Sequence, residues 1–426
     1  MIKNFTSLTN TKIERHAVHI LESGLMAAQP QNFLKKFVHK NHISVGRSRI
    51  ELSKYRKIFV VAYGKAASLM AEYVVKQINV SKGIVVIPKY AKSSLMNKKF
   101  VIIHSGHPIP DKESVKAGET LKKFVESCSK EDFILFLISG GGSSLLSLPD
   151  KITLNEKKQV TKLLLKSGAT IDEFNSVRKH LSMIKGGKLV KNMQSDGCAL
   201  IMSDVLTNNL SVISSGCTYN DDTTFSDAIK VVKKYSLTKK LPKKVITNLK
   251  QGLQLEVVRP NRIKVKNKII ATNMDCLNAM AVKAESLGIS TKIYPAVSND
   301  VSISAQKIVK MIKNTRKQCI IFGGEPTVHV TGNGKGGRNQ ELVLQILKRI
   351  KNFDQNILVS SISTDGIDGN TNYSGALSKN DLPSLQKISS YLKNNNSNAF
   401  FKKYGGLIET GPTNTNLMDI GLIIKY

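Results

Sequence analysis

An α/β fold of two domains is what the sequence predicts, and three observations predict it. Short apolar runs such as Lys57–Ala62, Phe133–Ile138 and Cys319–Phe322 alternate with longer amphipathic stretches, the rhythm of a sheet covered by helices. Polar and glycine-rich clusters follow those runs, and in open α/β sheets ligands bind at the C-terminal ends of the strands. With 426 residues and 41% apolar content the chain can bury two or three domain cores.

Composition narrows the function classes. The formal net charge is +33, which invites a nucleic-acid reading. The basic residues are scattered as Lys-Lys pairs, however, only ten of the 64 are Arg, and there is no Trp. Arginine is the residue that reads bases and stacks on them, so nonspecific polyanion adhesion at low salt is expected and specific nucleic-acid binding is not. Five cysteines without a CxxC spacing argue for a reducing cytoplasm, with no disulfide framework and no zinc site. The longest apolar run, Phe133–Ile138, is too short to span a bilayer, and no hydrophobic leader opens the chain, so a soluble protein without membrane contact is expected.

Residues 12–28 read as an amphipathic helix, and the region of Pro30, Gly46 and Ser48 as a connector. Lys57–Ala62 is an apolar strand, Tyr63-Gly64-Lys65-Ala66-Ala67 turns into a helix through Gln77, and Gly83–Pro88 is the next strand. Lys65 thus stands at a helix start, where the dipole disfavours a cation. Strand Phe100–His104 leads into Ser105–Asp111; His104 and His107 lack further ligands at metal spacing, and the two prolines favour a rigid loop. Phe133–Ile138 feeds Ser139-Gly140-Gly141-Gly142-Ser143-Ser144, a turn whose backbone N–H groups can approach an oxyanion, although it lacks the Walker ending. Asn155–Ser167 reads as helix, Asn175–Ser182 as a basic polar cluster, and Ala199–Met202 as a strand ending at Ser203-Asp204-Val205. Ser215-Gly216-Cys217-Thr218 precedes an acidic helix start at 221–224. The Lys-rich stretch 236–268, with Pro242 and Pro260, places a domain boundary near 240–250, giving domains 1–243 and 244–426. Lys268–Ala271, a helix Asp275–Leu287 and Lys292–Tyr294 make another β-α-β run.

The stretch 319–348 is the densest in chemistry. A strand ends in Gly323-Gly324-Glu325, Thr327–Val330 alternates like a half-exposed antiparallel strand, and a glycine-rich loop precedes Arg338-Asn339-Gln340-Glu341 and an amphipathic helix. A cation in the first turn of a helix is opposed by about 0.3–1 kcal/mol, so Arg338 asks for an anion beside it. This predicts a phosphate site at the loop. Gly332, Gly334 and Gly337 also match the dinucleotide spacing G-x-G-x-x-G, which would make the protein a reductase. Against that reading, the preceding segment alternates instead of reading as a buried parallel strand, and the first carboxylate of the next strand, Asp365, comes later than the usual ribose ligand. Strand Ile357–Ile362, the cluster Thr364–Gly369, a helix-forming segment Leu382–Asn394, and Thr410–Asn416, a short echo of 215–218, complete the chain. Lys65, Asp204, Glu325, Arg338 and Asp365 are accordingly expected to share one cleft.

These residues resemble the glycerate 2-kinase family with a C-terminal MOFRL domain, sometimes called hydroxypyruvate reductase. The motifs that carry the resemblance are GKAA at 64–67, HPIPD at 107–111, SGGGSSLL at 139–146, NSVRKHLS and IKGG within 175–187, SDV at 203–205, GGEPTV at 323–328, GKGGRNQE at 334–341, TDGIDG at 364–369 and TGPTNTN at 410–416. The resemblance implies a Rossmann-like N-terminal α/β/α domain, a C-terminal α/β domain whose MOFRL region covers about residues 315–422, and a cleft between them. It implies ATP-dependent phosphorylation of D-glycerate at the 2-hydroxyl, with hydroxypyruvate reduction by NAD(P)H as the alternative, and it leaves a homodimer open. Lys65 and Arg338 match the family's proposed catalytic pair and, with Asn175 and Arg178, are assigned to the substrate. The nucleotide phosphates are assigned to Ser139, Gly140, Gly141, Gly142, Ser143, Ser144, Gly334, Gly336 and Gly337. Asp204, Glu325 and Asp365 are candidates for Mg²⁺ or for orienting the hydroxyl, with turn capping as their bland alternative. This chain departs from the family pattern at Thr207-Asn208-Asn209, at Cys217, where the family usually has Pro, and at Asn370 and Asn372.

Overall fold

The computed structural model describes residues 1–93, 95, 97–254, 263–381 and 384–426. They form two compact units, one of residues 33–270 and one of residues 1–32 with 271–426.

In the unit 33–270, β1 (His42–Val45) and β2 (Ser48–Glu51) make an antiparallel hairpin. Strands β3 (Lys57–Tyr63), β4 (Lys82–Pro88), β5 (Phe100–Ser105), β6 (Asp132–Ile138), β7 (Asp196–Met202) and β8 (Lys266–Ala271) form one sheet in the order β5-β4-β3-β6-β7-β8. The pairs among β3 to β7 are parallel. Counted from β3 this is the order 3-2-1-4-5-6 of a Rossmann sheet. Its central strand β6 is buried at every residue, as an unbroken apolar run must be when helices cover both faces. Tyr63, Phe136, Leu121 and Ala199 lie in its core, and a second helical core gathers Val160, Leu164, Val177, Ala228, Val232 and Leu249.

The other unit has a mixed sheet of β9 (Thr291–Val297), β10 (Cys319–Gly324), β11 (Ile357–Ser363), β12 (Gly375–Lys379), β13 (Leu407–Ile408) and β14 (Asp419–Lys425), in the order β13-β12-β11-β14-β10-β9. Only β9 and β10 are parallel; β14 runs antiparallel to both β10 and β11. The C-terminal residues of β10 and β11, Gly324 and Ser363, therefore both pair with Asp419, the first residue of β14. Three strand ends meet at one place.

The structure differs from three expectations. The boundary lies at 270/271 rather than at 240–250, because β8 is the sixth strand of the first sheet. Residues 1–32 belong to the C-terminal unit and not to a domain 1–243: helix Lys12–Ala27, started by a Thr11–Glu14 capping box, turns Ala17, Val18, Ile20, Leu21 and Leu25 inward. It packs on helix Asn273–Ser286, with the Ser23 hydroxyl donating to the Ala279 carbonyl at 3.3 Å, and a Cβ at Gly24 would meet Met280 and Ile420. Thr327–Val330 is not a strand; Thr327 forms a single bridge with Asp300. Pro260 and Leu382 lie outside the described residues, and the helix expected from Leu382 spans Leu385–Lys393.

Candidate functional site

In a 3-2-1-4-5-6 sheet the strand order reverses between the first and fourth strands, and ligands bind at their C-terminal ends. Here those strands are β3 and β6, which deliver Gly64-Lys65 and Ser139–Ser144. The two turns are bound to one another. Lys65 N donates to the Gly140 carbonyl at 2.9 Å, Ser139 N to the Tyr63 carbonyl at 3.1 Å, and Ala66 N to the Ser139 hydroxyl at 2.9 Å. Gly64 is obligatory here, since its φ is +124° and a Cβ would stand 2.2 Å from the Ser139 hydroxyl. A Cβ on Gly141 would meet the His107 ring at 3.1 Å and Lys65 Cγ at 3.3 Å, so these side chains flank that glycine. The 211–218 segment closes the turn from the other side: the Ser214 hydroxyl donates to the Ser139 carbonyl at 3.0 Å, and the hydroxyls of Ser143 and Ser215 share a bond of 2.6 Å. Half-buried Asp204 follows β7 at the same edge. On helix Ile171–His180, Asn175 is buried and the Arg178 guanidinium lies 4.7 Å from the centre of the Phe174 ring.

The second cluster belongs to the unit containing 271–426 and is built around Arg338. Its fork grips the buried carboxylate of Asp419, Nε to Oδ2 at 2.6 Å and Nη2 to Oδ1 at 3.0 Å, while Nη1 reaches Glu325 at 2.6 Å. Burial alone would depress the guanidinium, but Asp419 and then Glu325 more than reverse this, so it stays protonated. The helix start behind it, Arg338–Ile350, is occupied by another buried carboxylate, Asp368. Its Oδ1 accepts from Asn339 N and Nδ2 at 3.0 and 3.2 Å, and its Oδ2 from Gln340 N and Nε2 at 2.9 and 3.0 Å. Burial pushes this carboxyl up to about 6, against the N–H donors that pull it down.

The anion that Arg338 asks for is supplied within the chain. Arg338 does have anions beside it, and they are Asp419 and Glu325. The loop N–H groups are also engaged within the chain, Gly332 to the Asn395 side chain, Gly334 to the Asn394 carbonyl and Gly336 to the Asn370 side chain. The glycines answer to close packing: a Cβ at Gly334 would stand 2.4 Å from Asn396, at Gly336 2.2 Å from Ser397, and at Gly337 2.2 Å from Asp368. The same contacts dispose of the dinucleotide fingerprint. The turn after the first Rossmann strand, Gly64-Lys65-Ala66-Ala67-Ser68-Leu69, has only the first of the three glycines.

The three metal candidates do not all belong to one unit. Asp204 lies in one unit, Glu325 and Asp365 in the other. Glu325 is held by Arg338, and Asp365 Oδ1 accepts from the Ser363 hydroxyl and Ile367 N at 2.7 and 3.0 Å, the pattern of a turn cap. Among the described residues no group of three or more His, Cys, Asp or Glu side chains is placed to hold a metal ion. Sequence reasoning missed Asp419, Asp368 and Asn394–Asn396. Asp368 had a signal, as the second carboxylate of the Thr364–Gly369 cluster, whereas Asp419 looks like an ordinary residue opening an apolar strand.

Comparison with known proteins agrees with this architecture. Residues 16–250 match the family described as "Domain of unknown function (DUF4147)", and residues 318–419 match the MOFRL family. A protein of Pyrococcus horikoshii named glycerate 2-kinase is 37% identical over 86% of this chain and 87% of its own. One of Thermotoga maritima named D-glycerate 2-kinase is 35% identical over 97% of this chain and 99% of its own. The crystal structure of a glycerate kinase from Thermotoga maritima superposes with a TM-score of 0.81 at 31% identity, covering 97% of this chain and 99% of that one. The chain therefore belongs to the glycerate 2-kinase family, in which a DUF4147 domain is joined to a C-terminal MOFRL domain.

Proposed function

We propose that this protein transfers the γ-phosphoryl group of ATP to the 2-hydroxyl of D-glycerate. The observation that carries the reading is a lysine, Lys65, set against the glycine turn at the switch point of a Rossmann sheet, in a chain similar over nearly its whole length to D-glycerate 2-kinases. In the reaction the hydroxyl oxygen forms a bond to the γ-phosphorus, the bond to the departing ADP oxygen breaks, and the hydroxyl proton is released. The transition state spreads charge over the equatorial oxygens, so cations and aligned N–H groups do most of what is needed.

Lys65 is assigned to the transferring phosphoryl group and the Ser139–Ser144 turn to the nucleotide phosphates. Arg338 is assigned to an anionic group of the substrates, with Asp419 fixing its plane. Magnesium is assigned as part of the nucleotide substrate, because this ion is commonly held by phosphates and one or two carboxylates and not by a protein cage. A cytoplasmic location fits five free, buried cysteines and the lack, among the described residues, of any helix long and apolar enough to cross a membrane.

A coupled assay decides between kinase and reductase. ADP release with D-glycerate, and less with L-glycerate, is expected. Oxidation of NADH or NADPH by hydroxypyruvate, without ADP release from glycerate, would overturn the reading.

A further inference from the structure

Beneath the glycine turn the unit 33–270 buries an unusual number of cations. Lys157, on helix Leu154–Lys166, is 4% exposed, and Lys185 has no exposure at all. Lys185 Nζ donates to the Ser143 carbonyl at 2.9 Å and Lys157 Nζ to the Ser147 hydroxyl at 3.2 Å, both neutral acceptors. Arg178 lies at the partly exposed rim, with its Nε buried and lacking a hydrogen-bond partner. Two neighbours are accounted for: Lys179 pairs with Asp221 at 3.1 Å, and Lys188 donates to the carbonyls of Lys179 and Ser182 at 3.0 and 2.9 Å. Among the described residues no carboxylate pairs with Lys157, Arg178 or Lys185.

Burying an unpaired cation is costly unless an anion joins it or it sheds its proton. The lysines can shed theirs. Burial first, and then Lys185 and Arg178, hold Lys157 well below its ordinary value, and burial pushes Lys185 down to about 8. Arg178 is pushed down only to about 10 and remains a cation at neutral pH. A half-buried arginine whose Nε is buried and orphaned, together with two buried lysines on neutral partners, is a set of cations short of an anion.

We propose that Lys157, Arg178 and Lys185 form an oxyanion-binding site beneath the Ser139–Ser144 turn, filled by a phosphate of the nucleotide or by the carboxylate of the hydroxy acid. Only the naming of these two sources rests on the kinase reading; the site itself stands on the three cations.

The test uses the full chain and inorganic phosphate as probe, with melting temperature read against chloride at matched ionic strength. Phosphate should raise the melting temperature of the wild type. Lys157→Met and Lys185→Met should melt no lower than wild type without phosphate, since each removes a buried cation that no carboxylate neutralises, and should lose the phosphate-dependent rise. Titration calorimetry with ADP and with D-glycerate then identifies the source, as the ligand whose affinity falls tenfold or more in Lys157→Met. Should the methionine variants not fold, Arg178→Gln at the rim gives the same readings. Variants that keep the wild-type phosphate shift and bind both ligands unchanged would overturn the site even in an active kinase. A phosphate shift that depends on these residues, in a protein without glycerate-dependent ADP release, would keep the site and reject the kinase.

Discussion

Arg338 is oriented by a residue 81 positions away, and its chemistry depends on that partner. A guanidinium gripped at Nε and Nη2 by a buried carboxylate has its plane fixed, and the edge facing away from Asp419, whose Nη1 is now on half-exposed Glu325, is the one that can be offered to a ligand. Asp419→Asn should therefore lower kcat by about 100-fold, the scale of a catalytic group misplaced by about 1 Å. Arg338→Lys should fall as far, because an ammonium cannot reproduce the fork. Glu325→Gln should cost much less. Steady-state kinetics on variants with unchanged melting curves checks this, and wild-type kcat in Asp419→Asn would refute the positioning role. Asp368 gives a pH signature. Its folded value of about 6 lies above the unfolded 3.8, so on acidification the folded state takes up this proton first. Its contribution to stability is full below 3.8 and is lost as the pH rises through 6, up to about 3 kcal/mol at 1.36 kcal/mol per unit. Urea midpoints should accordingly rise between pH 7 and 5 in the wild type but not in Asp368→Asn; equal slopes would reject the assignment. The sequence asked correctly what anion accompanies Arg338. It could not say that the anion is a side chain, because both partners are brought in by strand pairing and not by local spacing.

Elements with strong local signals were legible, and those set by tertiary contact were not. Amphipathic periodicity located helix Lys12–Ala27, and a continuous apolar run located strand β6, to within a residue or so. The alternation at Thr327–Val330 suggested a strand, yet after the Thr327 bridge the segment has no ladder partner among the described residues, and alternation alone does not make a strand. The glycine loop matched two ligand motifs because close approach of backbone demands glycine whatever approaches. Here it is the chain itself, Asn394–Ser397 and Asp368. Gly337→Ala places a methyl carbon 2.2 Å from the Asp368 carboxyl carbon, where neither side has room to move. It should destabilise the protein by about 1–3 kcal/mol, as overpacking does, measured by denaturant unfolding. A loop built for an incoming phosphate would instead tolerate alanine in stability and lose only ligand affinity.

At the scale of the whole molecule, the alternation of strands and helices revealed the class, and the motifs revealed where the chemistry gathers. The compact units divide at 270/271, beyond the Lys-rich, proline-bearing stretch that resembles a linker, because the sheet takes β8 as its sixth strand. The packing of the N-terminal helix with residues 271–426 was not legible for a related reason. Its apolar face shows that it packs, but not on what. Deleting residues 1–32 should expose the face of helix Asn273–Ser286 and remove or broaden the melting of the C-terminal unit, read by calorimetry. An unchanged melting profile would contradict that packing. The proposed reaction is defined by where a phosphate is placed. Phosphorus NMR of the product formed from ATP and D-glycerate should show 2-phosphoglycerate; 3-phosphoglycerate, or no phosphorylated acid at all, would contradict it.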